Sequence, residues 1–121
     1  MAIQKFEDIV GWQKAQELAV EIHKIFKESK DFGFKDQISR AAVSISKNIA
    51  EGFERSSHAD FSRFLHFALG SCSEVKSMLY LAEKYDYISF EKRENLLNQG
   101  TEISKIIRGL INSLNKSKDG K

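Results

Sequence analysis

The sequence predicts an all-α protein, an antiparallel up-down-up-down four-helix bundle in which residues 1–121 form one domain, and three observations lead there. None of the 121 residues is proline, so helices can run long without their usual breaker. Four stretches place apolar residues at alternating steps of three and four, the spacing that aligns one face of an α-helix. The breaks between them are short and polar, and short connections make neighbouring helices antiparallel. Helices of about 20 to 28 residues would be roughly 30 to 42 Å long at 1.5 Å per residue, well above the globular mean, and need each other along their full length.

The first helix, predicted over residues 8–29, carries Trp12, Ala15, Ala19, Ile22 and Phe26, with Leu18 and Ile25 flanking. Gly33 reads as its stop, because glycine is favoured just past a helix end. The second, over 35–55, repeats the pattern with Phe34, Ile38, Ala41, Ile45 and Ile49 and ends in the polar run Arg55, Ser56, Ser57. Ser57 is a suitable N-cap for the third helix, over 58–85, with Asp60 three residues on as in a capping box. Its stripe of Phe61, Leu65, Ala68, Cys72, Val75, Leu79 and Ala82 is unbroken, a pattern that packs helices at shallow angles. Ser89 caps the fourth, over 90–114, with Leu96, Gly100, Ile103, Ile107, Leu110 and Leu114 in register. The polar residues 115–121 are predicted to fray.

Nine Phe, one Trp and three Tyr supply the apolar volume for one sizeable core and exclude a wholly disordered chain. Nineteen Lys and Arg against seventeen Asp and Glu leave a net charge of +2, far from the excess of dedicated polyanion binders. By segment the charge is zero over 1–30, zero over 31–57, minus one over 58–88 and plus three over 89–121, so the excess sits toward the C-terminus. The single Cys72 has no partner for an internal disulfide, and no basic-then-apolar leader opens the sequence, which leads to the expectation of a cytoplasmic protein. The longest stretch without a formal charge is the ten residues 64–73, half of the roughly 20 needed to span a bilayer, so no membrane partner is expected.

Helical bundles often hold metals between helices, so catalytic and metal chemistry is tested first. There is no Glu-x-x-His pair, His23, His58 and His66 lack metal-ligand spacing, and no glycine-rich phosphate loop is present. No metal, cofactor or catalytic residue is expected, and the protein is not read as an enzyme. Cys72 falls on the apolar stripe of the third helix and reads as a small buried hydrophobe.

The second helix is the unusual element. At about 100° per residue Gln37, Arg40, Ser44, Asn48, Glu51 and Arg55 fall within an arc of roughly 80° beside the apolar stripe. A solvated face is the plain reading of such a seam. Against it, Asn48 and Gly52 occupy or border positions where a bundle core usually has leucine, and Ala41, Ala42, Ala50 and Gly52 permit close helix approach. The third helix carries a second stripe, Phe64, Phe67, Ser71, Glu74, Met78 and Leu81, and is apolar over two adjacent faces. One face suffices for a monomer, so Phe64, Phe67, Ser71 and Glu74 join Gln37, Ser44, Asn48, Glu51 and Gly52 as candidates for an oligomer interface. Gly70 in mid-helix costs up to about 1 kcal/mol relative to alanine, which calls for a packing reason. Candidate phosphate contacts are Arg40, Lys47, Arg55, Arg63, Lys105 and Arg108. Aromatic and basic residues do not interleave along the chain, so single-strand stacking is not expected.

Phe6, Asp8, Trp12, Lys14, Ala15 and Leu18, the run from Gln37 through Arg40 to Gly52 that includes Ser44, Ile45, Asn48 and Glu51, and then Phe61, Phe64, Leu65, Ala68, Gly70, Ser71 and Glu74 together resemble the bacterial four-helix family encoded in intervening sequences of 23S rRNA genes, also called the S23 ribosomal protein family. The resemblance spans nearly the whole chain and implies a left-handed up-down bundle assembled as a homopentamer. The accessory variability determinant proteins of retroelements resemble the same bundle and bind nucleic acid with a reverse transcriptase, and they are more basic than this chain. The family often has proline before the second helix and after the Ser44–Ile45 pair, whereas this chain has Lys35 and Ser46 there. Two functions follow as expectations: a self-associating module that contacts rRNA or another nucleic acid, or an adaptor for a protein partner with no nucleic-acid role.

Overall fold

The computed structural model describes residues 3–119, and all of its regular structure there is helical: a 3-10 turn at Phe6–Asp8, then α1 (Val10–Phe26), α2 (Phe32–Phe53), α3 (His58–Lys84) and α4 (Phe90–Asp119). Helix α2 packs between α1 and α3, and α4 closes against α3 and α1. One apolar core takes residues from all four helices, with Leu18, Ile22, Ile38, Ile45, Ile49, Leu65, Leu79, Leu96 and Ile107 fully buried.

The helix ends differ from the periodicity in ways that capping explains. Asp8 lies in the 3-10 turn ahead of α1, where Phe6 meets Trp12 edge-on with ring centroids 5.3 Å apart. Helix α1 ends three residues early, and Gly33 is not its stop. Asp31 instead caps α2, its carboxylate accepting from the Phe34 amide at 3.2 Å, so Phe32 and Gly33 form the first turn of α2. An Asp N-cap satisfies an amide that a glycine stop would leave orphaned. Ser57 caps α3 as predicted, accepting from the Asp60 amide at 3.1 Å. Only half of the capping box forms, because the Asp60 carboxylate faces Arg63 at 3.6 Å.

Helix α3 closes without glycine. Asp86 takes a left-handed φ of 64°, and the amides of Asp86 and Tyr87 donate to the carbonyls of Glu83 and Ala82, the bonding of a Schellman turn, with Asp in a conformation it tolerates better than most residues. Ser89 caps α4 by accepting from the Lys92 amide at 3.0 Å. Helix α4 runs on to Asp119, past its predicted end at 114, and residues 120 and 121 of the predicted frayed tail lie outside the described residues. Leu114, 2% exposed, anchors the last turns to the core, and no Gly or Pro interrupts the chain between Leu114 and Asp119.

The end of the molecule that holds the α1–α2 and α3–α4 connections is closed by aromatic packing. The Phe34 ring meets Phe26, Tyr85 and Tyr87 with centroids 5.6, 6.0 and 5.4 Å away. The Tyr87 hydroxyl donates to the Asp31 carboxylate, which ties the two connections together. That bond, with the Phe34 amide, holds the Asp31 carboxyl below the usual carboxylate range and raises the Tyr87 phenol. The α2–α3 turn lies on a different part of the surface, with Phe53, Phe61 and Leu114 beneath it.

Candidate functional site

Helices α2 and α3 bring the predicted seam together. The Ser71 hydroxyl donates to Ser44 Oγ at 2.9 Å, and Asn48 Nδ2 donates to the same oxygen at 3.0 Å and to the Ser44 carbonyl at 2.8 Å. Further along, Gln37 Nε2 donates to Glu74 at 3.3 Å. The seam is therefore a ladder between two helices of one chain, half-buried at Ser44, Asn48 and Ser71 and open to solvent at Gln37, Glu51 and Glu74.

Close approach is set at one end of the ladder by Gly52. A Cβ there would lie 2.7 Å from Phe64 Cβ and 3.0 Å from the Phe61 ring, so no side chain fits. Phe64 consequently lies inside its own chain at 8% exposure, whereas Phe67 one turn on stays 48% exposed. Gly70 is different again. Nothing lies within 4 Å of the position its Cβ would take, and its own chain supplies no packing reason for a glycine there.

Among the predicted phosphate contacts the structure unites two. The Arg55 guanidinium lies over the Phe64 ring at 4.7 Å, and that of Arg63 lies over Phe64 at 5.2 Å and Phe67 at 5.6 Å. The phenyl faces attract and orient both cations. Aromatic and basic residues that do not interleave in sequence are thus interleaved in space. Arg40 is exposed and paired with Asp36 at 2.9 Å, and it borders one shallow depression with Ser44 and Lys47. Lys105 and Arg108 are exposed on α4 and are not part of this cluster.

Three features were invisible to periodicity. Ser46 is 2% exposed, donates to the Val43 carbonyl at 3.3 Å and accepts from Gln16 Nε2 at 2.8 Å, a polar link between α1 and α2. Arg93, 9% exposed, donates to Glu83 at 2.7 Å and to Glu94 at 3.0 Å while lying 4.9 Å from the Tyr80 and Phe90 rings, which fastens α4 to α3. A cleft of about 300 Å³ opens at the α2–α3 turn, lined by Phe53, Arg55, Ser56, His58, Phe61 and Leu114 among others. The run Arg55, Ser56, Ser57, His58 signals this cleft only once the turn between the helices is placed.

Cys72 is fully buried, its thiol donating to the Gly100 carbonyl at 3.2 Å and accepting from Ser104 at 3.2 Å. Burial pushes the thiol's pKa up, away from the thiolate that nucleophilic or metal chemistry needs. Among the described residues no three His, Cys, Asp or Glu side chains are grouped to hold a metal ion, and no helix is long and apolar enough to cross a membrane.

Residues 7–109 match the family described as 23S rRNA-intervening sequence protein. A crystal structure of a protein of unknown function from the S23 ribosomal protein family of Bacteroides thetaiotaomicron is similar over 84% of this chain and 98% of that one, at 36% identity and a TM-score of 0.79. No protein of curated function matches.

Proposed function

This chain belongs to the 23S rRNA-intervening sequence protein family, and we propose that it is a cytoplasmic, non-enzymatic up-down-up-down bundle that assembles with copies of itself and holds nucleic acid by its phosphates. The observation that carries the assembly is the outward face of α3. Gly70 costs the helix stability with no neighbour in its own chain, and it lies one turn from half-exposed Phe67 and next to Ser71 of the half-buried ladder. A second copy approaching closely at Gly70 accounts for the missing side chain and covers Phe67. The opposed order of the pairs Gly52–Phe64, Ser44–Ser71 and Gln37–Glu74 supports helices α2 and α3 running in opposite directions.

The family resemblance supports a pentamer as the form of that assembly. In a closed ring each cation repeats around the axis, so Arg55 and Arg63 of every copy, with Lys105 and Arg108, form a band of positive potential from a chain whose net charge is only +2. Such a band holds a phosphate backbone without reading bases. Light scattering at tens of micromolar protein tests the assembly: a pentameric mass is expected, and a monomeric mass overturns it. Titration of structured RNA at about 50 mM salt, a condition that favours phosphate contacts, tests the second half, with binding expected to be lost steeply as salt rises. Arg55→Glu, away from Phe67, should weaken it and leave the mass unchanged.

One observation favours the adaptor reading if no RNA complex forms. Phe32, Tyr85 and Phe90 are 69%, 51% and 55% exposed, and exposed aromatic side chains of this kind are enriched at protein interfaces.

A further inference from the structure

Resting on the nucleic-acid reading above, we infer that the cleft at the α2–α3 turn takes one unpaired nucleotide of a single strand, its base on the Phe53–Phe61 floor and its phosphate on Arg55. The cleft has two chemistries. Its floor is apolar, with Phe53 half-buried and edge-on to Phe61 at 5.8 Å, and Leu114 beside them. Its rim is polar and cationic, formed by Arg55, the hydroxyl residues Ser56 and Ser57, and His58.

Each half excludes a class of occupant. An inorganic anion would be served by the rim alone and would leave the apolar floor uncovered. A purely apolar group would desolvate the Arg55 rim for no return. A nucleotide carries a flat π-face and a phosphate on one unit and meets both. The volume, about 300 Å³, is at the small end of ligand cavities and suits one such unit. Arg55 is already oriented, because its guanidinium lies over Phe64 at 4.7 Å, and Arg63 over the same ring at 5.2 Å continues the cationic surface away from the cleft toward Phe67. Two cations on one ring beside the cleft are more than a single phosphate needs, which favours a strand over a free nucleotide. Asp60 faces Arg63 at 3.6 Å with both side chains about half exposed, a contact weak enough for a phosphate to displace.

The test is fluorescence anisotropy of the full chain at about 50 mM salt with three labelled probes of equal length: oligouridine, an abasic ribose-phosphate strand and a duplex RNA. Oligouridine should bind about tenfold more tightly than the abasic strand, the order of one base–aromatic stack. Phe53→Leu should remove most of that ratio while leaving abasic affinity unchanged, and Arg55→Gln should weaken both strands and lower the salt slope by about one. Equal affinity for oligouridine and the abasic strand overturns the inference and leaves the phosphate reading standing, as does a duplex bound as tightly as the single strand. Failure of all three probes to bind overturns both. Should Phe53→Leu fail to fold by circular dichroism, photo-crosslinking of 4-thiouridine oligomers to the unaltered protein decides: adducts are expected on Phe53, His58 or Phe61, and adducts confined to other helices overturn the site.

Discussion

Two glycines of neighbouring helices, Gly52 in the last turn of α2 and Gly70 in the middle of α3, have opposite surroundings. Gly52 on α2 faces inward, where an added Cβ would strike Phe64 Cβ at 2.7 Å, and Gly70 on α3 faces outward, where it would meet nothing within 4 Å. The intrinsic helix penalty of glycine relative to alanine is about 1 kcal/mol at Gly70, in a helix interior, and no more than that at Gly52, one residue from the end of its helix. At Gly52 the penalty is offset within the chain, since the missing side chain lets α3 seat Phe61 and Phe64 against α2 at 5% and 8% exposure. At Gly70 nothing in the chain offsets it. A penalty with no internal return marks the place where an external contact is to be sought, and the half-exposed Phe67 beside it marks the same place by an independent measure.

The largest effect expected is at the inward position. Gly52→Ala puts a methyl group against Phe64 Cβ, an atom that moves only if α3 moves. Overpacking of this kind costs about 1 to 3 kcal/mol, and the gain in helix propensity recovers no more than about 1 kcal/mol of that. A urea titration should show a net loss of roughly 1 to 2 kcal/mol. Unchanged stability would remove one side of the contrast.

Gly70→Ala should act with the opposite sign on the isolated chain. With open space around the added methyl, the substitution should stabilise the monomer by up to about 1 kcal/mol, measured at protein concentrations low enough for subunits to separate. In the proposed assembly the same methyl would intrude on the approaching copy, so light scattering should show a lower mass than that of the unaltered chain at the same concentration. A variant that is more stable and equally assembled would show that Gly70 has no close neighbour in either state.

Periodicity made most of this fold legible, and it failed at particular residues for physical reasons. The stripe of α3 from Phe61 to Ala82 and that of α2 from Phe34 to Ile49 are buried as predicted. In α1 the burial centre lies one residue round from the prediction: Leu18 is fully buried and Trp12 and Ala19 only half, and Gly11 lies close against Ile106 of α4. Ile111, 6% exposed, takes the core place predicted for Leu110. Ser46 was missed because a buried serine has no periodic signature until its partner Gln16, thirty residues away, is placed. The Arg55–Arg63–Phe64–Phe67 cluster was missed for a similar reason. Arg55 and Phe64 belong to different helices, and only the turn between α2 and α3 stacks one on the other.

The smallest effects separate two residues that the sequence treats alike. Asn48 and Glu51 both lie on the polar arc of α2, and as members of a buried seam each would be costly to truncate. Asn48 is half-buried and donates twice to Ser44, once to its carbonyl at 2.8 Å and once to its hydroxyl at 3.0 Å, whereas Glu51 is exposed. Asn48→Ala removes a donor whose acceptors keep other partners: Ser44 Oγ still accepts from Ser71 at 2.9 Å, and the Ser44 carbonyl lies within a helix whose ladder continues past it. The net loss should therefore stay near the lower end for a hydrogen bond, about 0.5 to 1 kcal/mol. Glu51→Ala should fall within about 0.5 kcal/mol of zero, as exposed substitutions do. Thermal melts of the two variants under identical conditions measure the difference. Equal melting temperatures would return both residues to a plain solvated face, and a larger loss for Glu51 in the assembly than in the dissociated chain would place its carboxylate against a second copy.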